Sequence, residues 1–225
     1  MQTDIKNENR NESYLSEGVS DKVNKFDSHK EAPCTEDVDF RKNLFILSAP
    51  SATGKNTVVN GVIKSLPKVK KAITATTRPP RKKELNGIDY FFYTKDEFIK
   101  RAQANEFVET NFYDNNLYGT PYSEIKKYDE STPLFLIVDF NGMQEILKHF
   151  PDSTTIFLMP PSTEVLYERI RSRGDNTKEE INRRITAAKY EISQSSKYDY
   201  VIKNEILEDC IDAVVQIVKE RSKNI

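Results

Sequence analysis

The chain has 225 residues, 37% hydrophobic and 31% charged, which is enough apolar mass for the core of one modest globular domain. Its apolar runs reach four to five residues, far short of the roughly 20 that a membrane-spanning helix needs, so we expect a soluble, cytoplasmic protein with no membrane partner. Two cysteines and two histidines argue against a disulfide scaffold and a zinc cluster, and a formal net charge of −1 gives no general attraction to nucleic acid.

Residues 1–40 differ in composition from the rest of the chain. They carry ten acidic side chains against five basic ones, so this segment has a charge of −5 and the remaining 185 residues +4. Because its apolar residues are few and irregularly spaced, their burial would not offset the entropy of ordering the segment. We therefore expect a disordered acidic extension, and its pattern leaves open whether it is dispensable or a docking arm.

From Asn43 onward, short apolar runs alternate with amphipathic segments. The runs typical of buried strands are Asn43–Ser48, Leu134–Asp139 and Thr154–Met159. Segments with helical spacing are Asn56–Ser65, Phe140–Phe150, Glu164–Arg171, Lys178–Ser195 and Leu207–Arg221. Two pairs have the capping-box spacing of helix starts, Thr94 with Glu97 and Thr177 with Glu180. This order predicts a doubly wound α/β core around a parallel sheet.

The first chemical signal follows the first predicted strand and reads Ala49-Pro50-Ser51-Ala52-Thr53-Gly54-Lys55-Asn56-Thr57. In a phosphate-binding loop, backbone N–H groups and a helix N-terminus surround the anion while a lysine reaches the outer phosphates. The sequence departs from the phosphate-loop motif G-x-x-x-x-G-K-[ST], because Ala49 occupies the position of the first glycine and Asn56 that of the hydroxyl residue. The placement favours a phosphate loop, with an ordinary strand-to-helix turn as the alternative.

The second signal is the segment Thr74-Ala75-Thr76-Thr77-Arg78-Pro79-Pro80-Arg81-Lys82-Lys83-Glu84-Leu85-Asn86-Gly87-Ile88-Asp89-Tyr90-Phe91-Phe92. A terminal phosphate group carries about two negative charges, which call for planar, multidentate donors. Arg78 and Arg81, three residues apart, can converge on one such phosphate, and Tyr90 and Tyr118 add hydroxyl donors. Ordinary strand packing is the alternative for Tyr90 beside its two phenylalanines.

This segment resembles the signature of the guanylate kinase family, S-x-x-T-T-R-x-P-R-x-x-E-x-x-G-x-D-Y-x-F. The likeness continues through 106–109, 118–120, 160–162, 169–174, Arg184 and Asn204, so that it covers about residues 43–221. The resemblance implies a P-loop α/β fold: a doubly wound parallel sheet core, a small mixed α/β GMP-binding insert and a helical lid. It also implies phosphoryl transfer from ATP to GMP, with dGMP as a second acceptor, and no nucleic acid polymer as partner.

Site residues follow from matching positions in this sequence. The resemblance implies that GMP is bound by Thr74, Arg78, Arg81, Glu84, Tyr90, Glu109, Tyr118, Thr120 and Asp139. It implies that ATP is bound by Ala49, Ser51, Ala52, Thr53, Gly54, Lys55, Asn56, Thr57, Arg169, Arg173 and Asn204. The catalytic residues implied are Lys55, Arg81, Arg173 and Arg184. Mg²⁺ should bridge the ATP phosphates, with Thr57 as the nearest hydroxyl.

Base recognition has a simple chemical reason. Guanine alone among the common bases presents two adjacent donors, N1–H and the 2-amino group, and one carboxylate can accept both. The resemblance places Glu109 there, with Thr74 and Thr120 as hydroxyl partners of the base. Adenine would set an N1 lone pair against that carboxylate, which predicts discrimination in favour of guanine. A solvent-exposed acid on a strand is the alternative for Glu109.

The same resemblance predicts how the chain divides. Residues 41–225 form the guanylate-kinase-like domain, with a core of 41–73, 134–163 and 197–225. The GMP-binding insert spans 74–133 and the lid 164–196, and the lid should close over bound nucleotides. The sequence leaves a monomer and a homodimer equally open.

Two departures from the family pattern leave other hypotheses open. Ala49 and Ala52 replace the usual glycines, which predicts weaker ATP binding. Ile137 stands where the family has the first acid of D-x-D, and only Asp139 remains, so turnover or guanine selectivity is expected to be weaker. The alternatives are a catalytically weak or inactive guanylate-kinase-like interaction module and a nucleoside monophosphate kinase with another base preference.

Overall fold

The computed structural model describes residues 43–172 and 177–222. Its strands, in chain order, are β1 (Leu44–Ser48), β2 (Lys70–Lys71), β3 (Ala75–Thr76), β4 (Phe91–Phe92), β5 (Phe107–Tyr113), β6 (Asn116–Pro121), β7 (Leu134–Ile137), β8 (Thr154–Met159) and β9 (Tyr200–Lys203). Its α-helices are α1 (Lys55–Ser65), α2 (Lys95–Gln103), α3 (Tyr122–Lys126), α4 (Phe140–His149), α5 (Thr163–Arg171), α6 (Lys178–Ser193) and α7 (Leu207–Arg221). A 3₁₀ turn spans Ser195–Lys197.

The larger sheet has the strand order β2-β7-β1-β8-β9, and each neighbouring pair is parallel. β1 is central, with Leu44 opposite Leu134 on one side and Phe45 opposite Thr154 on the other. The carboxyl ends of parallel strands share one edge of the sheet, where ligands bind in folds of this kind. The loop that follows β1 and the residues that follow β7 therefore meet at that edge. This confirms the predicted parallel core.

Both faces of this sheet are covered by helices, as continuous apolar strands require. Phe45 and Leu47 pack on one face against α1 and α7. Leu44 and Ile46 pack on the other face against α4. Since successive side chains of β1 point to opposite faces, one strand supplies both halves of the core.

The smaller sheet has the strand order β4-β3-β6-β5. β5 and β6 form an antiparallel hairpin, β3 is antiparallel to β6, and β4 is parallel to β3. The hairpin turns at Asp114 and Asn115, whose φ angles of 46° and 66° lie in the left-handed region that Asp and Asn tolerate best among residues other than glycine. The hairpin holds Glu109, Tyr118 and Thr120 on neighbouring strands.

The predicted elements are present, with differences at their ends. The strand predicted to Asp139 ends at Ile137, because the Asp139 side chain accepts from the Gly142 N–H and begins α4 instead. The helix predicted to Ser195 ends at Ser193. Both predicted capping boxes, at Thr94 and Thr177, are formed. The predicted extension over 1–40 lies outside the described residues, and no helix within the described ranges is long and apolar enough to cross a membrane.

Candidate active site

A cavity of about 470 Å³ opens where the loop after β1, the residues after β7, the smaller sheet and α6 meet. Its wall is rich in charged and hydroxyl side chains. Those that the sequence singled out are Ser51, Ala52, Gly54, Lys55, Asn56, Thr57, Thr74, Arg78, Arg81, Tyr90, Glu109, Tyr118, Asp139 and Arg184. Residues predicted for a donor and for an acceptor nucleotide therefore share one cavity.

The loop between β1 and α1 has the backbone form of an anion-binding turn. Gly54, immediately before the helix, has a φ of 103°, a conformation that favours glycine. The first turn of α1 contains no acidic residue, so the partial positive charge of its N-terminus faces the cavity without competition from its own side chains. The Lys55 amino group donates to the Ala49 carbonyl and so folds back over the loop.

The two alanines that replace glycine in this loop differ in their consequences. Ala49 is 1% exposed and belongs to the core, and its φ is not in the left-handed region. Ala52 has a φ of 70°, where a Cβ atom is strained. Only the second replacement therefore carries a conformational penalty.

The arginines of the predicted phosphate site are organised by Glu84. Its carboxylate accepts two parallel bonds from Arg78, Nη1 to Oε2 at 2.8 Å and Nη2 to Oε1 at 2.9 Å, and also the Arg81 backbone N–H at 2.8 Å. The Arg78 guanidinium lies 5.2 Å from the centre of the Tyr90 ring. Glu84 itself stands behind the arginines and is not among the residues lining the cavity. These contacts hold the Arg78 side chain and the Arg81 backbone in place.

Glu109 is a buried acid on β5, 6% exposed, which faces the cavity. The Thr120 hydroxyl on β6 donates to its Oε1 at 2.7 Å. The pKa of this carboxyl is raised to about 8, chiefly by burial; the Thr120 bond opposes the rise and the nearby Asp139 contributes to it. Thr120 bonds to Glu109 but is not among the residues that line the cavity, whereas Thr74 is. The exposed-acid alternative for Glu109 is wrong.

Asp139 caps α4 at the floor of the cavity. Its Oδ1 accepts the Gly142 N–H at 2.9 Å, and its Oδ2 accepts from the Asn111 amide. A Cβ atom at Gly142 would lie 3.1 Å from Glu109 Oε2, so glycine lets the helix approach that carboxylate closely. Burial also raises the pKa of Asp139.

The predicted lid contributes Arg184 to the cavity, where its Nε donates to Asp114 Oδ2 at 2.9 Å. Arg169 is exposed near the end of α5 and is not among the lining residues. Arg173 lies outside the described residues. Asn204 is buried, and its amide donates to the Thr53 carbonyl at 2.7 Å, which ties the loop to the end of β9.

Six polar residues that the sequence analysis did not assign to the site also line the cavity: Asn111, Tyr113, Asp114, Asn116, Glu180 and Glu191. Burial raises the pKa of Glu191 to about 7, a shift that the positive charge of Lys55 opposes. The sequence did contain a signal for Glu191. It lies seven residues after Arg184, a helical spacing that puts both side chains on one face of α6.

A cavity that joins a phosphate loop on a parallel sheet to a second cluster of arginines defines a P-loop nucleotide kinase. The profile of the family described as "Guanylate kinase" matches residues 41–221. Guanylate kinase of Halalkalibacterium halodurans is 38% identical over 176 residues, which is 78% of this chain and 86% of the relative. That of Thermotoga maritima is 37% identical over 182 residues, with 80% and 88% covered.

A solved structure agrees with these relatives. The crystal structure of guanylate kinase from Anaplasma phagocytophilum matches with a TM-score of 0.67 at 29% identity, covering 80% of this chain and 86% of that one. The chain belongs to the guanylate kinase family.

Proposed function

We propose that this protein transfers the terminal phosphoryl group of ATP to GMP, giving ADP and GDP, and accepts dGMP as a second substrate. The observation that carries this proposal is the single cavity that holds Lys55, the Arg78 and Arg81 pair, and the buried Glu109. These groups match a donor phosphate chain, an acceptor phosphate and a guanine edge, respectively.

On the acceptor side, Arg78 presents a guanidinium that Glu84 holds by two bonds, so little side-chain freedom is lost when a phosphate binds. Tyr90, beneath that guanidinium, supplies a hydroxyl. Glu109 would accept N1–H and the 2-amino group of guanine. AMP cannot supply those donors, and an unpaired buried carboxyl predicts about 10- to 100-fold discrimination.

On the donor side, the loop N–H groups and Lys55 would hold the ATP phosphates. Catalysis of phosphoryl transfer rests on positioning and charge neutralisation. Arg184 and Arg81, which both line the cavity, would neutralise charge on the migrating group. Arg169, Arg173 and the adenine contact of Asn204 stay predictions from the sequence.

Mg²⁺ fits this site as an ion carried by the nucleotide. The described residues contain no cluster of three or more His, Cys, Asp or Glu side chains that could hold a metal by themselves. Thr57 is exposed and lines the cavity at the first turn of α1. The Thr57 hydroxyl, water and the ATP phosphates would hold Mg²⁺, which would neutralise phosphate charge.

The division into core, insert and lid given above is part of the proposal, and the two separate sheets support it. The cytoplasmic location and the choice between monomer and homodimer stay predictions. Within residues 43–172 and 177–222, no feature favours the alternative of an inactive interaction module.

The test is a coupled assay of ADP formation with MgATP and each of GMP, dGMP, AMP, UMP and dTMP. We expect GMP and dGMP to be the preferred acceptors, with turnover of AMP lower by about 10- to 100-fold or more. Lys55→Met, which removes the donor-side charge, should abolish turnover while GMP binding measured by calorimetry persists, and so it controls for contaminating kinases. Retained GMP binding with no turnover in the wild type would favour the interaction module. Faster turnover with another base would favour a nucleoside monophosphate kinase with a different base preference.

A further inference from the structure

Asp114 joins the predicted lid to the acceptor insert through one carboxylate. Arg184 on α6, 70 residues away in sequence, donates from Nε to Asp114 Oδ2 at 2.9 Å, and its Nη2 lies 2.7 Å from the same oxygen in an ion pair. Arg183 approaches Oδ1 from the other side, with Nη2 at 3.7 Å. The Asp114 and Arg184 side chains are only 14% and 17% exposed. A pair so shielded from water holds its geometry better than an ordinary surface ion pair.

The turn that carries Asp114 is itself fixed. Asp114 and Asn115 both adopt positive φ, as a tight hairpin turn requires. The Asn116 side-chain amide donates to the Asp114 carbonyl at 2.8 Å. The carboxylate therefore projects from a rigid support, and that support is the hairpin on which Glu109 and Tyr118 lie.

The contact also leaves part of Arg184 available. Both contacts with Asp114 lie on the Nε–Nη2 edge of the planar guanidinium, so this ion pair does not occupy Nη1. Arg184 lines the same cavity as Lys55. An arginine held along one edge by a carboxylate offers its remaining donors in a defined direction.

We propose that Asp114 is a positioning residue, which orients Arg184 toward the migrating phosphoryl group and couples closure of the lid to the acceptor-binding hairpin. This inference rests on the proposed function. It gives a role to a residue that the family signature in the sequence does not include. Asp114 touches neither nucleotide in this account, and acts through Arg184.

The test uses Asp114→Asn in the full chain, because asparagine also tolerates the positive φ and should preserve the turn. We expect kcat to fall about 10- to 100-fold, the loss typical of a displaced catalytic group, with KM for GMP within about twofold. Asp114→Glu should recover part of kcat by restoring the charge. Asp212→Asn, an exposed position on α7, makes the same charge change away from the cavity and should match the wild type.

A double-mutant cycle with Arg184→Lys isolates the coupling. Lysine keeps the charge but lacks the fork, so adding Asp114→Asn to Arg184→Lys should lower kcat by less than about twofold. The proposal is overturned if Asp114→Asn has a near-normal or increased kcat. It is also overturned if adding Asp114→Asn to Arg184→Lys lowers kcat by as much as Asp114→Asn does in the wild type.

A second measurement needs no turnover. In the ligand-free protein, the Arg184 Nε–H resonance, assigned by its loss in Arg184→Lys, should be protected from solvent exchange and should lose that protection in Asp114→Asn. Equal exchange in both proteins would refute the positioning role. An inactive wild type with this protection intact would instead count against the proposed kinase function.

Discussion

The carboxyl group of Glu109 combines two opposed requirements. Burial at 6% exposure raises its pKa to about 8, so the ligand-free protein holds a proton there near neutral pH. The proposed contact with guanine needs both oxygens as acceptors and therefore the ionised form. Binding of GMP should consequently release a proton from the protein below pH 8.

The first prediction is that GMP affinity depends on pH. The dissociation constant for GMP should fall as pH rises from 7 toward about 8, by up to about tenfold per unit, and level off above the pKa of Glu109. Calorimetry between pH 7 and 9, in buffers of different ionisation enthalpy, measures both the affinity and the protons released. A GMP affinity that is constant over this range would contradict this role of Glu109.

Glu109→Gln is the matched control, because glutamine can keep the Thr120 bond but does not ionise. It should bind GMP more weakly and show no such pH dependence. In the native protein Glu109 keeps its proton up to a pKa of about 8, whereas in the unfolded chain it loses the proton above its usual pKa of 4.5. The free energy of unfolding therefore falls as pH rises from 4.5 to about 8. The variant should therefore melt at a higher temperature than the wild type at pH 8.5.

The backbone of Ala52 gives a second prediction, which concerns stability. Its φ of 70° costs about 1–2 kcal/mol for a residue with a Cβ atom. Ala52→Gly should raise the free energy of unfolding by up to about 1 kcal/mol, since relief of strain exceeds the entropy that glycine adds to the unfolded chain. Ala49→Gly is the control, because it removes a buried methyl group without relieving strain and should destabilise by about 1 kcal/mol. Urea unfolding that finds Ala52→Gly less stable than the wild type would contradict this account.

At the level of elements, α6 carries the charged face of the cavity. Glu180, Arg184 and Glu191 follow at spacings of four and seven, which places them on one face. The helix begins at a capping box in which Thr177 accepts the Glu180 N–H at 3.2 Å and the Glu180 carboxylate accepts the Thr177 N–H at 2.7 Å. This cap fixes the first turn that leads to Arg184.

Thr177→Ala should therefore reduce both stability and activity. Loss of an N-cap hydroxyl lowers the free energy of unfolding by about 1 kcal/mol, and a frayed first turn should lower kcat through Arg184. Thr94→Ala removes the equivalent cap of α2, which contributes no residue to the cavity. It should cost similar stability and leave kcat unchanged. Equal kinetic losses in the two variants would show that the activity change merely reflects stability.

The sequence predicts these elements well where the signal is local. Capping boxes and the apolar runs of the parallel sheet depend on neighbouring residues, and both are confirmed. The sequence predicts the end of β7 two residues too late, because the apolar run continues through Val138 to Asp139. Only the bond from the Gly142 N–H to the Asp139 side chain shows that this residue begins a helix. Strand pairing in the hairpin of β5 and β6 depends on a two-residue turn whose conformation the apolar pattern does not reveal.

For the whole molecule, the family motif predicts which side chains meet. Of the proposed acceptor residues, Thr74, Arg78, Arg81, Tyr90, Glu109, Tyr118 and Asp139 all line the cavity. Glu84, outside the cavity lining, accepts bonds from the Arg78 side chain and from the Arg81 backbone N–H. Asp114 pairs with Arg184, which is 70 residues away in sequence. Such contacts depend on how the elements pack, which no local pattern in one sequence encodes.

The most direct measurement is a crystal structure with GMP and a non-hydrolysable ATP analogue bound together. The account predicts the guanine edge on Glu109, the GMP phosphate on Arg78 and Arg81, and the outer phosphates of the analogue on Lys55. GMP bound outside this cavity, or with its base turned away from Glu109, would contradict it.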